Sequence, residues 1–417
     1  MDNPARTRIL KRMEHDCDIL IIGGGLNGPM LALAAARAGL SSTVIDALPD
    51  VTRAQDGFNG KSYALALASV RLLRNLRVWG RVAENAQPML DIKVSDGRAG
   101  EGPSPFFLHF DHAEIEEGPM GHMLEDRFLR RALLDAMEDV PDIIQISGEP
   151  VTAQQVDRAG VTVTLASGRA LRGRLFVGAD GRGSGTATRA GIRRSGWRYG
   201  QTALVAAIEH ELPHHGVAHQ FFMPSGPLAI LPLPGNVSSI VWSETDETAA
   251  QFAALPDEDF IEVLRPRFGD FRGDIALRGT RYTYPLSLSV ANHFVADRLA
   301  LIGDAAHGVH PIAGQGLNAG LRDVAALAQV LQEARQRGED IAAADVLGRY
   351  QQWRRFDTAT LAMATDMTNR LFSNDNPLLR MARDLGMGAI GRMPALRRGF
   401  IREAAGLTGD LPALMKA

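Results

Sequence analysis

The chain has 417 residues, more than one hydrophobic core ordinarily serves, so two domains, or two with an extension, are expected. Its 45% hydrophobic and 22% charged residues are ordinary for a soluble globular protein, and a net charge of −3 leaves no electrostatic footprint for nucleic acid. The single cysteine, Cys17, excludes a disulfide framework and a cysteine-based metal cluster; it reads as a buried structural thiol and makes the cytosol the default compartment.

The N-terminal stretch MDNPARTRILKRMEHDCD is basic but has no apolar segment, so it does not read as a secretory signal. Ile19–Ala36 carries no charge and approaches the length of a membrane span. Gly23, Gly24, Gly25, Asn27, Gly28 and Pro29 at its centre read instead as strand, turn and helix. Asp18–Ile22 is an apolar run suited to a buried parallel strand. Gly23, Gly25 and Gly28 then form G-x-G-x-x-G: the first allows a tight turn, the second lets backbone approach a pyrophosphate, the third lets helix pack on strand. A helix is predicted from Asn27 to Ala38 and closed by Gly39. A strand at Thr43–Ile45 ends in Asp46, about 20 residues on, where a carboxylate accepts from a ribose hydroxyl. Strand, helix, strand and acid in this order point to a dinucleotide site, without separating FAD from NAD. A later match, GMGAIG at Gly386–Gly391, follows a helical pattern and is not read as a site.

Val161, Val163 and Leu165 alternate between turns at Ala159-Gly160 and Ser167-Gly168, a hairpin meander. An apolar strand at Leu175–Gly178 follows and ends in Ala179-Asp180-Gly181. HELPH, His210–His214, is a literal H-E-x-x-H, but Pro213 disfavours the helix that would set both imidazoles on one face. An exposed polar strand end is expected there, and no metal. Gln220–Ser243 reads as strands joined by Pro-Gly turns. Arg298–Ile302 is a predicted strand, Gly303 a turn, and Asp304 an acid at the strand's carboxyl end, where ligands sit in open α/β sheets. Pro311 stiffens the loop that follows, and the backbone is glycine-rich from Gly314. A helix is predicted from Leu317 to Leu331; its unpaired N–H groups and about half a positive charge suit an anionic ligand part. From Pro377 the chain is helical, apolar and basic. That pattern suits an anionic membrane surface, an ordinary helical cap or a partner surface.

The segments G-x-G-x-x-G, FNGKSYALALAS from Phe58, ADGRGS from Ala179, SGPLAILPLP from Ser225, YPLSL from Tyr284, GDAAHGVHPIAGQGLNAGLRDV from Gly303 and RYQQWRRFDTATLAMATDMTNRLFSN from Arg349 span nearly the whole chain. Together they resemble the FAD-dependent aromatic hydroxylases, the class A flavoprotein monooxygenases. Within these they resemble the ubiquinone-biosynthesis hydroxylases of the 2-polyprenylphenol hydroxylase type. The resemblance implies an α/β fold with a Rossmann-like FAD-binding domain of the hydroxybenzoate-hydroxylase type (residues 1–80, 118–196 and 295–335). A mixed β-sheet substrate domain (81–117 and 197–294) interrupts it, and the C-terminal region (336–417) is helical.

The same resemblance implies site roles. Asp304, after Gly303, bonds the ribityl chain of FAD. The backbone of Gly314–Asn318, with Gly316 and Leu317, faces the N1/O2 edge of the isoalloxazine. Pro311 and His310 lie near the reactive flavin edge, and Arg127 supports the pyrophosphate. Asp180 and Gly181 line the flavin site and the nicotinamide approach. His307 and His310 either touch substrate or flavin, or supply loop polarity. Phe221, Phe222, Leu231 and Leu233 either line an apolar substrate pocket or belong to the core. Where the family reads Phe-Asp-x-Arg-x-x-Ala-Leu, this chain has Phe58, Asn59, Gly60 and Lys61, so a point charge replaces a planar fork near the cofactor. The implied reaction uses O2 and either NAD(P)H or a separate electron donor. A flavin C4a-hydroperoxide passes one oxygen atom to the ring of a hydrophobic polyprenyl-phenol in ubiquinone biosynthesis. A cytoplasmic protein peripherally associated with the membrane is expected, with a quinone-biosynthesis complex as candidate partner. The alternatives are a soluble aromatic-acid hydroxylase of the hydroxybenzoate or salicylate type, a non-catalytic scaffold of a quinone-biosynthesis complex, and a flavoprotein reductase.

Overall fold

A computed structural model describes residues 15–53, 57–58, 60–100, 102–309, 314–372 and 393–417. The apolar run at the N-terminus forms the strand Cys17–Ile22, buried on both faces as the centre of a parallel sheet requires. It pairs in parallel with Ser42–Asp46 on one side and with Ala170–Gly178 on the other. Ile143–Ser147 extends the sheet beyond Ser42–Asp46, and Leu299–Leu301 extends it beyond Ala170–Gly178. The meander of Val151–Val156 and Val161–Leu165 hangs on Ala170–Gly178 by antiparallel pairing, as the alternation predicts. Ile19–Ala36, the stretch of membrane-span length, is therefore strand, turn and helix. No helix among the described residues is long and apolar enough to cross a membrane.

Parallel pairing has a direct consequence for the motifs. The strands Cys17–Ile22, Ala170–Gly178 and Leu299–Leu301 are neighbours pointing the same way. Their following loops, at Gly23, Ala179 and Gly303, therefore leave at one carboxyl edge. Hydrogen bonds lock the exits in step: Ala179 N donates to Ile22 O (2.7 Å), and Ile302 N donates to Gly178 O (3.0 Å). Motifs far apart in sequence thus meet in space. The helices Asn27–Arg37 and Gln315–Gln336 leave this edge and pack against each other.

A second sheet of eight strands is mixed. Its two long members, Arg194–His210 and Ile275–Ala291, pair antiparallel, and the ladder continues through Val237–Thr245, Gly226–Leu233 and Val217–Met223. Asp91–Arg98 then joins in parallel, followed by Gly102–Asp111. Strand alternation gives this sheet two different faces. One carries Phe221, Leu228, Ile230, Ile240 and Trp242 into a core closed by the helices Asp246–Ala254 and Asp257–Phe268. The other carries Ala207, Leu231, Leu233 and Val237 against Met89, Met123, Phe58 and Ala64. Those last residues belong to or flank a small sheet of Ser62–Ala66, Gly121–Glu125 and Gln87–Met89 that lies toward the glycine loops. At the opposite edge of the second sheet, the two-residue strand His307–Gly308 pairs with Ser289 and Val290, so the loop after Asp304 is tied into both sheets.

The C-terminal part contains the helices Ala344–Phe372 and Pro394–Ala404. The tail beyond is anchored: Ala68 N donates to Ala405 O (3.1 Å), and Arg322 donates to the carbonyls of Gly406 and Thr408 at 2.9 and 3.0 Å. The Gly386–Gly391 match lies outside the described residues.

Candidate functional site

The three glycines of the first motif differ in what surrounds them. Gly23 has φ +111°, and a Cβ there would collide with the carbonyl of Ala179. The glycine therefore lets the first two loops touch. A Cβ at Gly28 would strike the Gly23 carbonyl, so this glycine seats the helix on the strand. Gly25 has nothing within 4 Å of its missing Cβ: it faces open space. Asp46 is held by two amides, with Gly24 N donating to Oδ2 (2.5 Å) and Leu48 N to Oδ1 (2.7 Å). Arg53, which sequence reasoning passed over, is buried behind this loop, donates to Gly24 O (3.2 Å) and Ser147 Oγ (2.6 Å), and pairs with Asp50.

In the second loop Asp180 accepts from Ser184 Oγ (2.5 Å) and Thr186 N (2.9 Å). Its carboxylate is occupied in capping the turn after it. The exposed guanidinium of Arg182 instead reaches across and donates to Asp304 Oδ2 at 3.1 Å. Arg194 fixes the backbone beneath, donating to Asp304 O (3.0 Å) and to Ala305 O. The half-buried Asp304 carboxylate thus stands at the common edge, paired with Arg182 and with Arg194 close behind it.

Below this loop lies a buried ionic cluster. Asp323, on the Gln315–Gln336 helix, is 0% exposed. Its Oδ2 accepts from Gly303 N (2.9 Å) and faces His307 Nε2 at 2.6 Å, while Oδ1 accepts from Arg354 Nε at 2.7 Å. Burial pushes the Asp323 carboxyl up, but the charges and hydrogen bonds of His307 and Arg354 outweigh it and hold it below the ordinary carboxylate range. Tyr350 Oη donates to Leu301 O (2.8 Å), and burial raises its phenol well above the usual value. His307, only 1% exposed, is part of the loop's foundation.

The Gln315–Gln336 helix begins two residues earlier than the apolar pattern indicates, because Gly314 takes φ +64° and turns the chain into it. A Cβ at Gly314 would press on Ala64 Cβ at 2.9 Å, whereas at Gly316 there is nothing within 4 Å. Asn318 uses its whole amide: Oδ1 accepts from Ala66 N (2.9 Å) and Ser69 Oγ (2.7 Å), and Nδ2 donates to Ala64 O (2.8 Å) and Gly314 O (3.0 Å). The side chain staples the helix start to the strand Ser62–Ala66. Asn27 sits where Cβ atoms at Gly303 and Gly320 would fall, and its buried Oδ1 has no hydrogen-bond partner. Lys61 Nζ lies 5.8 Å from the Tyr284 ring, and Arg127 Nε donates to Glu125 Oε2 at 2.7 Å. His310 and Pro311 lie outside the described residues.

These features fit an extended dinucleotide with a flat redox ring. Open space lies at Gly25 and Gly316, each near a helix start whose first N–H groups lack intrahelical partners. Asp304 and Arg182 meet at the same carboxyl edge of the sheet, and Asn27 Oδ1 is a buried acceptor without a donor.

The proposed apolar pocket needs correction. Phe221 and Leu231 lie on opposite faces of the second sheet, so Phe221, Phe222 and Leu231 do not line one cavity. Adjacent strand residues point opposite ways, which leaves Phe222 on the Leu231 side and sends Phe221 into the helix-covered core. HELPH is a strand end and turn. Its histidines are buried rather than exposed, with His210 bonded to Leu212 O and Ser238 Oγ and His214 Nε2 donating to Leu233 O. Cys17 is buried, and burial pushes its thiol up to about 11.

A family model described as FAD binding domain matches residues 16–364. The ubiquinone hydroxylase UbiL of Rhodospirillum rubrum is 46% identical over 402 residues, covering 96% of this chain and 92% of that protein. The 3-demethoxyubiquinol 3-hydroxylase of Escherichia coli is 34% identical over 393 residues, covering 94% and 98%. Among solved structures, p-nitrophenol 4-monooxygenase PnpA from Pseudomonas putida superposes with a TM-score of 0.77 at 19% identity, covering 94% of this chain and 98% of that one, which shows a shared fold.

Proposed function

The chain belongs to the FAD-binding family of class A flavoprotein monooxygenases, and from that premise we propose that it hydroxylates the ring of a polyprenyl-phenol intermediate in ubiquinone biosynthesis. The observation that carries the reading is the pairing of two surfaces. The Gly314–Asn318 helix start opens at Gly316, and the apolar near face of the second sheet packs on the adjoining strand Ser62–Ala66 through Leu231, Leu233, Phe58 and Ala64. The relatives whose names specify ubiquinone hydroxylation align over nearly the full chain.

Bound FAD supplies the electron and oxygen chemistry. The protein binds and orients it. Gly23 and Gly28 shape the turn and Gly25 leaves the space by which the Asn27 helix start would take the pyrophosphate, with Arg127 as a supporting cation. Asp46 meets the adenosine ribose and Asp304 the ribityl chain. The N–H groups at Gly316 and Leu317 favour negative charge on the neighbouring ring edge, which a preorganised dipole does without reorganising. Asp180, which caps its own turn, and Gly181 would border the approach of a nicotinamide donor, the other source of electrons being a separate donor protein. The apolar near face excludes water and holds the phenol ring.

The substrate's hydrophobic tail calls for access to a bilayer. Phe356, Met363 and Met367, each more than 70% exposed, share one face of the Ala344–Phe372 helix. Met393, Leu396 and Phe400 form a second exposed stripe, with the exposed Arg398 beside it. These stripes suit the interface of an anionic membrane. Arg397 and Arg402 are taken up by Glu114 and Glu117 and add little free charge. Co-sedimentation with anionic vesicles checks this; Phe356→Ser with Met363→Ser is expected to abolish it.

The function is tested by deleting the gene and profiling quinone intermediates. An accumulating, under-hydroxylated polyprenyl phenol names the step. An unchanged quinone pool refutes the reading.

A further inference from the structure

The second sheet has a cavity of about 1100 Å3 on the face turned away from the glycine loops. Its floor is the parallel pair Asp91–Arg98 and Val217–Met223, whose register sets His219 beside Lys93 and Phe221 beside Ser95. Its wall is the end of the helix Asp257–Phe268 and the turn Asp270–Arg272. Nothing in the flavin reading uses this space.

The wall holds an unusual cation. Arg272 is only 6% exposed. Its Nη1 donates to Pro213 O (2.7 Å) and Nη2 to His214 O (3.2 Å), but Nε has no partner. Among the described residues no carboxylate lies within ion-pair distance of Arg272 or of Lys93, although Glu262 and Asp270 are also on the lining. The neighbouring Arg265 and Arg267 differ in this respect, facing Asp274 and Glu244 at 3.6 Å. Burial disfavours an unpaired charge, so a buried guanidinium whose partners are neutral carbonyls, the Phe271 ring at 5.1 Å and the His219 imidazole lacks a countercharge. The His219 ring sits 4.6 Å from Phe271 and 3.5 Å from Arg272 Nη2. Burial first, then the charges of Arg272 and Lys93, lower its pKa to about 3, so it stays neutral and adds polarisable surface without charge. Phe221 and Met223 make the remaining floor apolar.

We propose that this cavity binds an amphipathic anion, with its carboxylate or phosphate headgroup on the Lys93 ammonium and in the field of the Arg272 guanidinium, and its apolar body against Phe221, Met223 and Phe271. The site is independent of the hydroxylation reading, and an occupant would lie across the sheet from the flavin.

The test uses the FAD-loaded protein, so that the flavin site is filled. Displacement of anilinonaphthalene sulfonate fluorescence is measured with dodecanoate, dodecyl phosphate and uncharged dodecanol, each below its micelle threshold. Both anions are expected to displace the dye at least about tenfold more tightly than dodecanol, a difference set by the headgroup alone. The tighter of the two identifies the headgroup class. Lys93→Gln and Arg272→Gln are expected to weaken the anions about tenfold while leaving dodecanol unchanged. Retained flavin absorbance checks folding, and the half-buried Lys93 gives the decisive variant should Arg272→Gln fail to fold. Dodecanol binding as tightly as the anions, or undiminished anion binding in Lys93→Gln, overturns the proposal.

Discussion

Replacing Asp323 with Asn tests whether the buried cluster beneath Gly303 governs cofactor retention. The carboxylate takes Gly303 N, His307 Nε2 and Arg354 Nε, and two of these donors sit on side chains 1% and 2% exposed. Asn keeps one acceptor and turns an amide NH2 toward the remaining donors. Breaking a buried ion pair from one side costs about 3–5 kcal/mol. Asp357, which still faces Arg354 Nη1 at 2.6 Å, retains part of that cation's stabilisation, so a loss near the lower end, about 3 kcal/mol, is expected. Gly303 loses its anchor, and Asp304 moves with it. FAD is therefore expected to dissociate at least about tenfold more readily, a change of roughly 1.4 kcal/mol. Urea unfolding of the apoprotein and flavin-fluorescence titration read the two effects separately. A cycle with Arg354→Met should return a coupling of about 1–3 kcal/mol. Strict additivity, or a variant with native stability and native FAD affinity, refutes the reasoning.

The pH dependence follows from the same carboxylate. Its folded-state pKa is depressed, so its stabilisation is complete above the ordinary carboxylate pKa of about 3.9 and is lost as pH falls through the lower folded value. FAD retention should be flat in this respect from about pH 5 to 8 and fall below about pH 4, and Asp323→Asn should remove that acid slope. Gly316→Val, filling open space, should leave apoprotein stability within about 0.5 kcal/mol but weaken FAD more than about tenfold. Gly23→Ala, forced against the Ala179 carbonyl at a positive φ, should destabilise the apoprotein itself by about 1–3 kcal/mol in urea unfolding. Lys61→Arg should tighten FAD by restoring a planar fork, and an unchanged dissociation rate counts against that role. With its thiol raised to about 11, Cys17 should resist maleimide at pH 8 in the native protein and react in denaturant.

The local chemistry of the site was legible in sequence because turns and helix starts need particular residues within a few positions. Gly23, Gly25, Gly28 and Asp46 fall into strand, turn, helix and strand as their spacing requires. What crosses between elements was not legible. Arg182 meets Asp304 from another loop, and Arg354 reaches Asp323 from another helix; no periodicity encodes either pair. His210 and His214 read as an exposed strand end because their hydrogen-bond partners Ser238 and Leu233 come from a neighbouring hairpin. The separation of Phe221 from Phe222 was recoverable, since neighbouring strand residues face opposite ways. Grouping them by apolar character concealed it. Only the second half of the strand Arg194–His210 was legible, because polar residues and glycines interrupt its first half, where its pairing slips between Arg198 and Thr202.

The saturated amide of Asn318 determines how the site behaves over time. With all four of its hydrogen-bonding positions engaged, the first turn of its helix cannot slide or rotate against Ser62–Ala66 without breaking several bonds together. The helix dipole is consequently aimed while the chain folds, before any ring arrives. Under the proposed function, a ring bound at this helix start would meet an already oriented field whatever its charge, with no movement asked of the protein frame beside it.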